Sequence, residues 1–434
     1  MKKMLMQFAL GIGLMILFTH SAMSEWVECD TFANGSMVSA IIGSSDNIFA
    51  GTTGSGIFIS TNNGDSWATV NTGLPRYFSS QCEPVYAFAV SGNNIFAGID
   101  GGVFLTSNNG TSWAELNNGV AYPDTTVKVL AVSGNNLYAG SFAFGIYYSA
   151  NNGTSWNAVN AGIPKFSYNN GYYTESFYLG INAIAVCGSN VFVGTDTGIY
   201  RSSINGGSWS AANNGLININ RINSFAVTGN NIFVGTQNSG TLLSTDNGDS
   251  WSPINDSLFG YDTTITAFAV SGNNVFASTG HMGIFLTTNK GTSWSDISTS
   301  LLDSYISSLA VNGDYLFAVT SDKPGVWRRP LSEMIGATNL KPQSVIASRE
   351  YFKIHSPSHI NPNISIEFSL PHSDKVSLKI YSLSGHEIAS LVNKNLNAGT
   401  HSISWNTRNL AAGCYTVRMQ AGANTYVKSI PITR

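Results

Sequence analysis

The sequence has few charged residues and, beyond its first 24 residues, no long apolar run. Asp, Glu, Lys and Arg make up 10% of the 434 residues, against a usual share of about 25%. Because a membrane-spanning helix needs ~20 apolar residues, no segment after residue 24 is expected to cross a membrane. The 44 glycines and the many asparagines are typical of β structure with many turns.

The four cysteines form no recognisable motif. Cys29, Cys82, Cys187 and Cys414 include no CxxC spacing, so the sequence predicts neither a zinc site nor a disulfide framework. Cys187 lies in an apolar stretch and is interpreted as a small buried hydrophobic residue. For Cys29 and Cys82, a disulfide in an oxidising compartment and two free thiols both remain open.

Histidine is nearly absent from the main body of the chain. Between residues 25 and 338 the sequence contains only His281, which we interpret as a surface loop residue; the others are His20, His355, His359, His372, His386 and His401. A Ser-His-Asp triad and a site with several histidine ligands are therefore excluded there. We expect no metal and no cofactor.

The charge is unevenly distributed along the chain. Residues 25–338 contain nine Lys or Arg and twenty Asp or Glu, whereas residues 339–434 contain ten and four. The acidic main body argues against a nucleic-acid partner, because the phosphates would be repelled. The basic C-terminal part either faces an acidic surface or transport machinery, or is simply solvated.

The N-terminus has the three parts of a secretory signal. Two lysines precede an apolar run over residues 5–18, and small residues follow over 21–24. We predict that residues 1–24 are removed. The alternative, a membrane anchor, is disfavoured because the run is shorter than a bilayer core requires.

One phrase recurs seven times, starting at residues 37, 85, 127, 181, 222, 265 and 306; VYAFAVSGNNIFAG is an example. Each copy predicts an alternating strand, a tight Gly-Asn turn and a second strand. A third strand and a fourth that opens with Trp complete a unit of about 40–45 residues, the size of a propeller blade. The sequence therefore predicts an all-β chain whose residues 25–330 form a seven-bladed β-propeller.

The turn between the third and fourth strands is also repeated, as in STNNGDSW from Ser60. It combines an Asx side chain, a left-handed glycine and a tryptophan wedge. This turn resembles the Asp-box, or bacterial neuraminidase repeat, also found in sortilin-like receptors and photosystem assembly propellers, and the resemblance implies a fold without a chemistry. Asp246 alone keeps the aspartate, and Ile204 departs from the pattern. The structural positions are Asn62, Gly64, Trp67, Asn108, Gly110, Trp113, Asn151, Gly153, Trp156, Gly206, Trp209, Asp246, Gly248, Trp251, Asn289, Gly291 and Trp294.

The seventh unit lacks a fourth strand, and an extra strand precedes the first unit. Trp26 in this extra strand corresponds to Trp67 and its equivalents. We predict that residues 25–31 complete the last blade and close the ring, which leaves no open sheet edge.

A second domain follows a linker over residues 331–353. Stretches such as VSLKIYSLSGHEIASLV from Val376 and LAAGCYTVRMQAG from Leu410 alternate like the strands of a small immunoglobulin-like β-sandwich over residues 354–434. Together these stretches resemble the type A C-terminal sorting domain of the type IX secretion system. The resemblance implies the secretion machinery as a partner, and release or attachment at the outer surface of a Gram-negative bacterium. The degraded motif at residues 356–362 and Cys414 depart from the family pattern. The alternative is an accessory immunoglobulin-like module.

Candidate catalytic residues are the aspartates in the turns between second and third strands. Asp100, Asp196 and Asp322 occupy these turns, and two of them could act as acid and base in a glycoside hydrolase. The alternative is that they are ordinary exposed turn residues. No arginine cluster of the sialidase type is present, so sialidase activity is disfavoured.

The loop between the third and fourth blades is long and aromatic. Trp156 and Trp209 are 53 residues apart, against 42 to 46 for the other neighbouring box tryptophans. An exposed platform for a sugar or a protein partner and a loop that buries its own rings are both open. The candidate ligand-binding residues are Tyr168, Tyr172, Tyr173, Phe177 and Tyr178, with Phe142 and Phe144 in the preceding blade.

These features favour a secreted, non-enzymatic binding or scaffold propeller that recognises a glycan or a protein through its loops. A polysaccharide-active hydrolase with paired aspartates is the main alternative, and a purely structural surface component is the third.

Overall fold

The structure is a computed structural model. It describes residues 25–29, 37–77, 81–120, 126–169, 174–216, 221–254, 264–301, 304–321, 325–335, 352–355, 363–370, 373–382, 386–397, 399–408, 410, 413–421 and 424–432.

The first half of the propeller contains three complete blades and two short hairpins. The chain starts with β1 (Val27–Glu28). Blade 1 consists of β2 (Val38–Ser44), β3 (Asn47–Thr52), β4 (Ile57–Ser60) and β5 (Ala68–Thr69), and a hairpin of β6 (Arg76–Tyr77) and β7 (Gln81–Cys82) follows. Blade 2 consists of β8 (Val85–Ser91), β9 (Asn94–Ile99), β10 (Gly102–Thr106) and β11 (Ala114–Glu115). Blade 3 consists of β12 (Val127–Ser133), β13 (Asn136–Ser141), β14 (Ile146–Ser149) and β15 (Asn157–Ala158), and a hairpin of β16 (Lys165–Asn169) and β17 (Thr174–Tyr178) follows.

The second half contains four blades. Blade 4 consists of β18 (Ile181–Cys187), β19 (Asn190–Thr195), β20 (Gly198–Ser203) and β21 (Ser210–Ala211). Blade 5 consists of β22 (Ile222–Thr228), β23 (Asn231–Thr236), β24 (Thr241–Ser244) and β25 (Ser252–Pro253). Blade 6 consists of β26 (Ile265–Ser271), β27 (Asn274–Thr279), β28 (Ile284–Thr287) and β29 (Ser295–Asp296), followed by a 3₁₀ turn (Thr299–Leu301). Blade 7 contains β30 (Ile306–Asn312), β31 (Tyr315–Thr320) and β32 (Gly325–Pro330), and helix α1 (Leu331–Ile335) follows.

The blades form a closed ring. The first strand of each blade contacts the first strand of the next, and β30 of blade 7 contacts β2 of blade 1. The core lies between the blades, where one aromatic side chain from each second strand is fully buried: Phe49, Phe96, Tyr138, Phe192, Phe233, Phe276 and Phe317. Each strand is therefore stabilised mainly by side-chain burial against a neighbouring blade. The predicted seven-bladed β-propeller is confirmed.

The N-terminal strand supplies the outer strand of blade 7. β1 pairs with β32 in antiparallel register, Val27 opposite Arg328 and Glu28 opposite Trp327. The backbone N–H of Cys29 extends this pairing by donating to the carbonyl of Val326 at 2.8 Å. Blade 7 is thus made from both ends of the propeller sequence.

The segment predicted as a linker contains structure at both ends. Helix α1 occupies its first residues, and Met334 is buried in the core between blades 6 and 7. At the other end, β33 (Phe352–His355) already belongs to the second domain. The short helix escaped the sequence analysis because five residues carry little periodic signal.

The C-terminal domain is a β-sandwich of two antiparallel sheets around one core. One sheet has the order β33-β34-β37 and the other the order β36-β35-β38-β39. Ile366, Val376, Leu378 and Val417 are among the residues that form its buried core. The remaining strands are β34 (Asn363–Leu370), β35 (Asp374–Ser382), β36 (Glu387–Leu396), β37 (Gly399–Asn406), β38 (Gly413–Ala421) and β39 (Asn424–Ile432).

Candidate functional site

The repeated turn between third and fourth strands is a closed network of local hydrogen bonds. In blade 1, Ser60 Oγ donates to Asn62 Oδ1 at 2.9 Å and accepts from the backbone N–H of Gly64 at 2.8 Å. Asn62 Nδ2 donates to Ser66 Oγ at 2.9 Å. In blade 5 the serine equivalent to Ser66 reverses its role from acceptor to donor, since Ser250 Oγ donates to Asp246 Oδ2 at 2.5 Å. This reversal explains why Asn replaces Asp in the turns of blades 1, 2, 3 and 6 without disrupting them.

The tryptophan after each turn connects neighbouring blades. In blades 2 to 6 its indole N–H donates to a backbone carbonyl just after the last strand of the preceding blade, at 2.6 to 3.1 Å. Trp26 makes the same bond, to the carbonyl of Ile297 at 3.0 Å, and so performs this role for blade 7. The donors are Trp26, Trp113, Trp156, Trp209, Trp251 and Trp294, all of them buried. These six tryptophans pack between neighbouring blades and each joins two blades by a hydrogen bond.

Two junctions between blades also carry an ion pair. Arg201 on the third strand of blade 4 contacts Asp249 Oδ1 at 2.5 Å, in the turn of blade 5. Arg328 on the third strand of blade 7 contacts Asp65 Oδ1 at 2.6 Å, in the turn of blade 1. Asp65 and Asp249 occupy the same turn position, which is Thr or Gly in the other turns. The Arg328–Asp65 pair lies at the junction between blades 7 and 1, where the ring closes.

Asp246 provides a pH-dependent test of the turn network. Hydrogen bonds from the Ser250 and Ser244 side chains, and then from the Ser250 backbone, lower its pKa from 3.8 to about 2. A lowered pKa means that this carboxylate stabilises the fold at pH above 3.8 and loses that contribution as the pH falls toward about 2.

We therefore expect wild type to melt slightly above Asp246→Asn at neutral pH, by about 1–2 °C. The difference should shrink as the pH falls below 3.8 and vanish below about pH 2, because the amide does not titrate there while Asp246 becomes protonated. Thermal melting of both proteins across this range measures the difference. Asn289→Asp, the reverse exchange in blade 6, should acquire the same pH dependence; a difference that stays constant with pH contradicts the network.

A second repeated motif was missed by the sequence analysis. Four residues after the box tryptophan, an asparagine Oδ1 accepts from the backbone N–H that opens the third strand, as Asn160 does from Ile146 at 2.7 Å. Two residues later, a glycine lies against the backbone carbonyl of the tryptophan in the next blade. The asparagines are Asn71, Asn117, Asn160 and Asn213, and the glycines Gly73, Gly119, Gly162 and Gly215. The Asn-Xaa-Gly spacing after the tryptophans of blades 1 to 4 is the sequence signal that reveals this motif.

Gly162 should be intolerant of any side chain. Its φ is +94°, and a Cβ there would lie 2.0 Å from the carbonyl oxygen of Trp209. Gly162→Ala therefore combines left-handed strain with a backbone clash, and we expect a loss of about 3 kcal/mol or more in the free energy of unfolding.

The matched control for Gly162 is Gly134→Ala. Gly134 has a φ of +60° but nothing within 4 Å of the added Cβ, so only strain of about 1–2 kcal/mol is expected. Urea denaturation of the two variants separates the cost of backbone strain from the cost of the clash. Equal losses in the free energy of unfolding would show that the contact with Trp209 is unimportant.

The opposite face of the propeller carries the turns between second and third strands together with the loops between blades; we call it the loop face. The second residue of each first strand lies near it. In three blades this residue donates to the first residue of the next blade's first strand: Ser39 to Val85, Asn223 to Ile265 at 2.9 Å, and Thr266 to Ile306 at 2.5 Å. In blades 2, 3 and 4 the same position holds Tyr86, Lys128 and Asn182, which contact other groups.

Asp100 is the centre of a polar cluster between blades 2 and 3. It accepts hydrogen bonds from Tyr86 Oη, at 3.1 Å, and from Thr126 Oγ1. Lys128 Nζ lies 3.3 Å from the centre of the Tyr86 ring. Burial, followed by the charge of Asp100, raises the pKa of Tyr86 to about 12 and raises the pKa of Glu83. Burial lowers the pKa of Lys128.

Asp196 is the centre of a second cluster, between blades 4 and 5. Its Oδ1 accepts from Asn182 Nδ2 at 2.9 Å and lies 3.6 Å from Arg221 Nε. Arg221 Nη2 in turn donates to Asn182 Oδ1 at 3.1 Å. Asp196 and Arg221 are each about half exposed, so the cluster is open to solvent.

The candidate aspartates therefore lie in two different clusters. Asp100 and Asp196 have no hydrogen-bond partner in common among the described residues, and blade 3 separates the blades that carry them. Asp322 lies outside the described residues. Neither carboxylate contacts the other, and each already accepts hydrogen bonds from the protein.

The long aromatic loop forms the β16–β17 hairpin. Its Tyr178 N–H donates to the carbonyl of Ala143, which anchors the hairpin to the turn of blade 3. The rings of Phe166 and Phe177 lie 5.7 Å apart, and Phe166, absent from the sequence candidates, is 45% exposed. Tyr178 is half-buried beneath Lys165 Nζ, 4.3 Å from its ring centre.

The other aromatic candidates differ in exposure. Phe142 is 63% exposed, whereas Phe144 packs against the core between blades 2 and 3. Tyr172 and Tyr173 lie outside the described residues, as does the side chain of Tyr168, whose backbone pairs with Glu175. The hairpin thus combines buried and exposed rings.

The described cysteines do not form disulfides. Cys29, Cys82 and Cys187 are buried free thiols, so Cys29 and Cys82 are not joined. Burial raises the pKa of Cys29 to about 12, which leaves it an inert thiol at neutral pH. His281 is exposed, and its ring centre lies 5.6 Å from that of Tyr305.

Two features are absent from the part of the chain that the structure describes. No helix there has the length and apolar character needed to cross a membrane. Within the same ranges, no group of three or more His, Cys, Asp or Glu residues is placed to hold a metal ion.

The C-terminal domain matches a known family. Residues 357–433 match the secretion system C-terminal sorting domain. The chain therefore carries a type IX secretion sorting domain, which directs it to secretion or to attachment at the cell surface. No curated protein matches the sequence.

The propeller is similar in fold to several solved structures. PorZ, a surface component of the type IX secretion system of Porphyromonas gingivalis, aligns with 93% of this chain and 60% of its own at 15% identity and a TM-score of 0.52. The GH74 xyloglucanase of Xanthomonas campestris aligns with 80% and 59% at 16% identity and a TM-score of 0.54. YCF48 of Cyanidioschyzon merolae aligns with 71% and 98% at 15% identity and a TM-score of 0.51. The chain thus spans about 60% of the first two structures, and identities this low show the fold alone.

Proposed function

We propose that this exported propeller is a non-enzymatic binding module whose loop face recognises a glycan or a protein outside the cell. The binding surface comprises the Asp100 cluster, the Asp196 cluster and the exposed ring of Phe142. Its location outside the cell follows from the sorting domain at residues 357–433.

One observation carries the proposal: in the adjacent blades 2, 3 and 4, the second residue of the first strand contacts other groups instead of forming the blade-to-blade hydrogen bond seen in blades 1, 5 and 6. In blade 7, Ser307 donates within its own blade, to the carbonyl of Val319 at 3.4 Å. Ser39, Asn223 and Thr266 use the second position of their first strand to join two blades. At the same position, Lys128 and Asn182 belong to half-exposed polar clusters. A half-exposed polar side chain at a position that elsewhere joins two blades by a hydrogen bond is a candidate for ligand recognition.

The clusters are less suited to glycoside hydrolysis. A hydrolase needs two carboxyl groups on either side of one glycosidic bond, about 5–9.5 Å apart. Asp100 and Asp196 instead belong to separate clusters, and each carboxylate is already engaged by donors of its own cluster. A rigid polar surface with fixed donors and acceptors supports binding better than proton transfer.

Binding by the purified chain, residues 25–434, tests this proposal. The chain is labelled and applied to a glycan array, to intact cells of the producing bacterium and to chromogenic glycosides. We expect saturable binding that Lys128→Ala and Arg221→Ala reduce about tenfold, with no turnover. Asn230→Ala, an exposed substitution on the opposite face, serves as the control and should bind like wild type.

Two outcomes would overturn the proposal. Cleavage of a glycoside that Asp100→Asn or Asp196→Asn abolishes would identify a hydrolase. Equal binding by wild type, Lys128→Ala and Arg221→Ala would remove the loop face from recognition.

A further inference from the structure

The β16–β17 hairpin is a two-stranded ribbon whose first strand is exposed. Among the described strands, β16 and β17 pair only with each other. The side chains of Lys165, Phe166 and Ser167 are all exposed. Because successive side chains of a strand point to opposite faces, both faces of β16 are open to solvent over these residues.

The register of the hairpin determines which backbone groups of β16 point outward. Leu179 N–H donates to the carbonyl of Pro164 at 3.1 Å, so this pair is hydrogen-bonded across the hairpin. Hydrogen-bonded and non-hydrogen-bonded pairs alternate along antiparallel strands, and the register continues from there through five pairs without a bulge. The N–H and C=O groups of Lys165, Ser167 and Asn169 therefore point away from β17.

The outer edge of β17 is already attached to the propeller at one end. Tyr178, which pairs with Lys165, directs its N–H outward and donates to the carbonyl of Ala143 in the turn of blade 3 at 3.1 Å. In the described part of the chain, no residue outside the hairpin bonds to the outward backbone groups of β16. The edge that can accept another strand is therefore that of β16.

Other sheet edges on the outside of the propeller are short. The outer strand of every blade has two residues, and so do both strands of the β6–β7 hairpin. Proteins protect edge strands by shortness, proline, bulges or charges, because unpaired backbone groups invite further pairing. β16 has five residues, contains neither proline nor a bulge, and carries one charge, on Lys165. It is thus an unprotected edge on a propeller whose other outer edges are protected.

The side chains along this edge favour a partner strand with an apolar face and no net negative charge. Phe166 offers an exposed ring that an apolar side chain of an added strand would cover, as in cross-strand pairs. On the opposite face, Ser167 Oγ and Ser176 Oγ lie 2.9 Å apart, which makes that face polar. Residues 25–338 contain nine Lys or Arg against twenty Asp or Glu, so an acidic segment would be repelled.

We propose that β16 binds an extended, neutral or basic segment of another protein by strand addition. The segment pairs antiparallel with Lys165, Ser167 and Asn169, and these backbone hydrogen bonds supply the affinity. An apolar side chain against Phe166 supplies the selectivity. This interaction uses neither the Asp100 cluster nor the Asp196 cluster, so it goes beyond the proposed function and does not depend on it.

Ser167→Pro tests the edge directly, because proline removes an outward N–H that the hairpin itself does not use. The purified chain, residues 25–434, selects binders from a phage-displayed library of random dodecapeptides, and fluorescence anisotropy measures their affinities. We expect enriched peptides with alternating apolar residues and a neutral or positive charge. Their affinity should fall at least about tenfold for Ser167→Pro. N-methylation of the peptide amides that face β16 should have the same effect.

The matched controls are Ser167→Ala, which keeps the N–H, and Ser176→Pro, which places proline at the outer edge of β17; both should bind like wild type. Peptides that bind Ser167→Pro as tightly as wild type would refute strand addition at β16, and so would a selection that enriches no peptide. Self-association of wild type that Ser167→Pro abolishes in sedimentation velocity would also overturn the proposal, because a second copy of this chain would then occupy the edge. Lys128→Ala and Arg221→Ala should leave peptide binding unchanged, which separates failure of this proposal from failure of the proposed function.

Discussion

Trp26→Ala should destabilise the propeller by about 3–5 kcal/mol, the usual effect of removing a buried tryptophan side chain. The indole is 3% exposed, packs in the core between blades 6 and 7, and donates to Ile297. It also anchors a strand of only two residues, so the strand should detach from β32 once the indole of Trp26 is removed. Blade 7 would then expose a free edge.

The experiment compares urea denaturation of three variants. Trp26→Phe keeps a large ring and loses the hydrogen bond, so a smaller loss of about 1–2 kcal/mol is expected. Val27→Ala changes an exposed neighbour on the same strand and should remain within about 0.5 kcal/mol of wild type. A Trp26→Ala protein as stable as Val27→Ala would show that the N-terminal strand does not hold the ring closed.

Loss of export should follow from unfolding the sorting domain. Ile380 is fully buried in the sandwich core, and an aspartate there would place an unpaired charge in an apolar environment, at a cost of several kcal/mol. In the producing bacterium we expect Ile380→Asp to abolish delivery of the chain to the cell surface and medium, as deletion of residues 354–434 should. Fractionation with immunoblotting measures the distribution.

The control for export is Lys379→Ala, one residue away. Lys379 is half-exposed and pairs at 2.8 Å with Glu387 of the neighbouring strand β36, so its removal should leave the domain folded and the chain exported. Normal delivery of Ile380→Asp would mean that the folded sandwich is not what the secretion machinery recognises.

The propeller was predictable because each blade repeats the same local physics. An alternating strand, a Gly-Asn turn and a buried aromatic recur at a fixed spacing, so single positions such as Trp26 can be matched to their equivalents. The Asn-Xaa-Gly motif was equally visible in the sequence and was missed. Its role depends on the tryptophan of the next blade, and contacts of that kind are evident only once the blades are placed side by side.

The candidate site was predictable only in part. The sequence identifies Asp100 and Asp196 as turn residues of one face. It does not reveal that Asp196 pairs with Arg221, which follows it in the chain after strands β20 and β21. Phe166 carried no signal, because the importance of an exposed ring depends on its three-dimensional neighbours. The aromatic loop was recognised by its length, but its hairpin form follows from pairing across residues 165–178.

The two ends of the propeller meet in blade 7, and this has a mechanical consequence. The chain leaves the ring through β32 and α1, and the sorting domain follows α1 in the sequence. Tension on that domain would therefore first load β32, whose neighbours are β31 and the two-residue strand β1. Trp26 and the Arg328–Asp65 pair lie where this load would enter the ring. The ring should consequently open under force at blade 7 before any other blade yields.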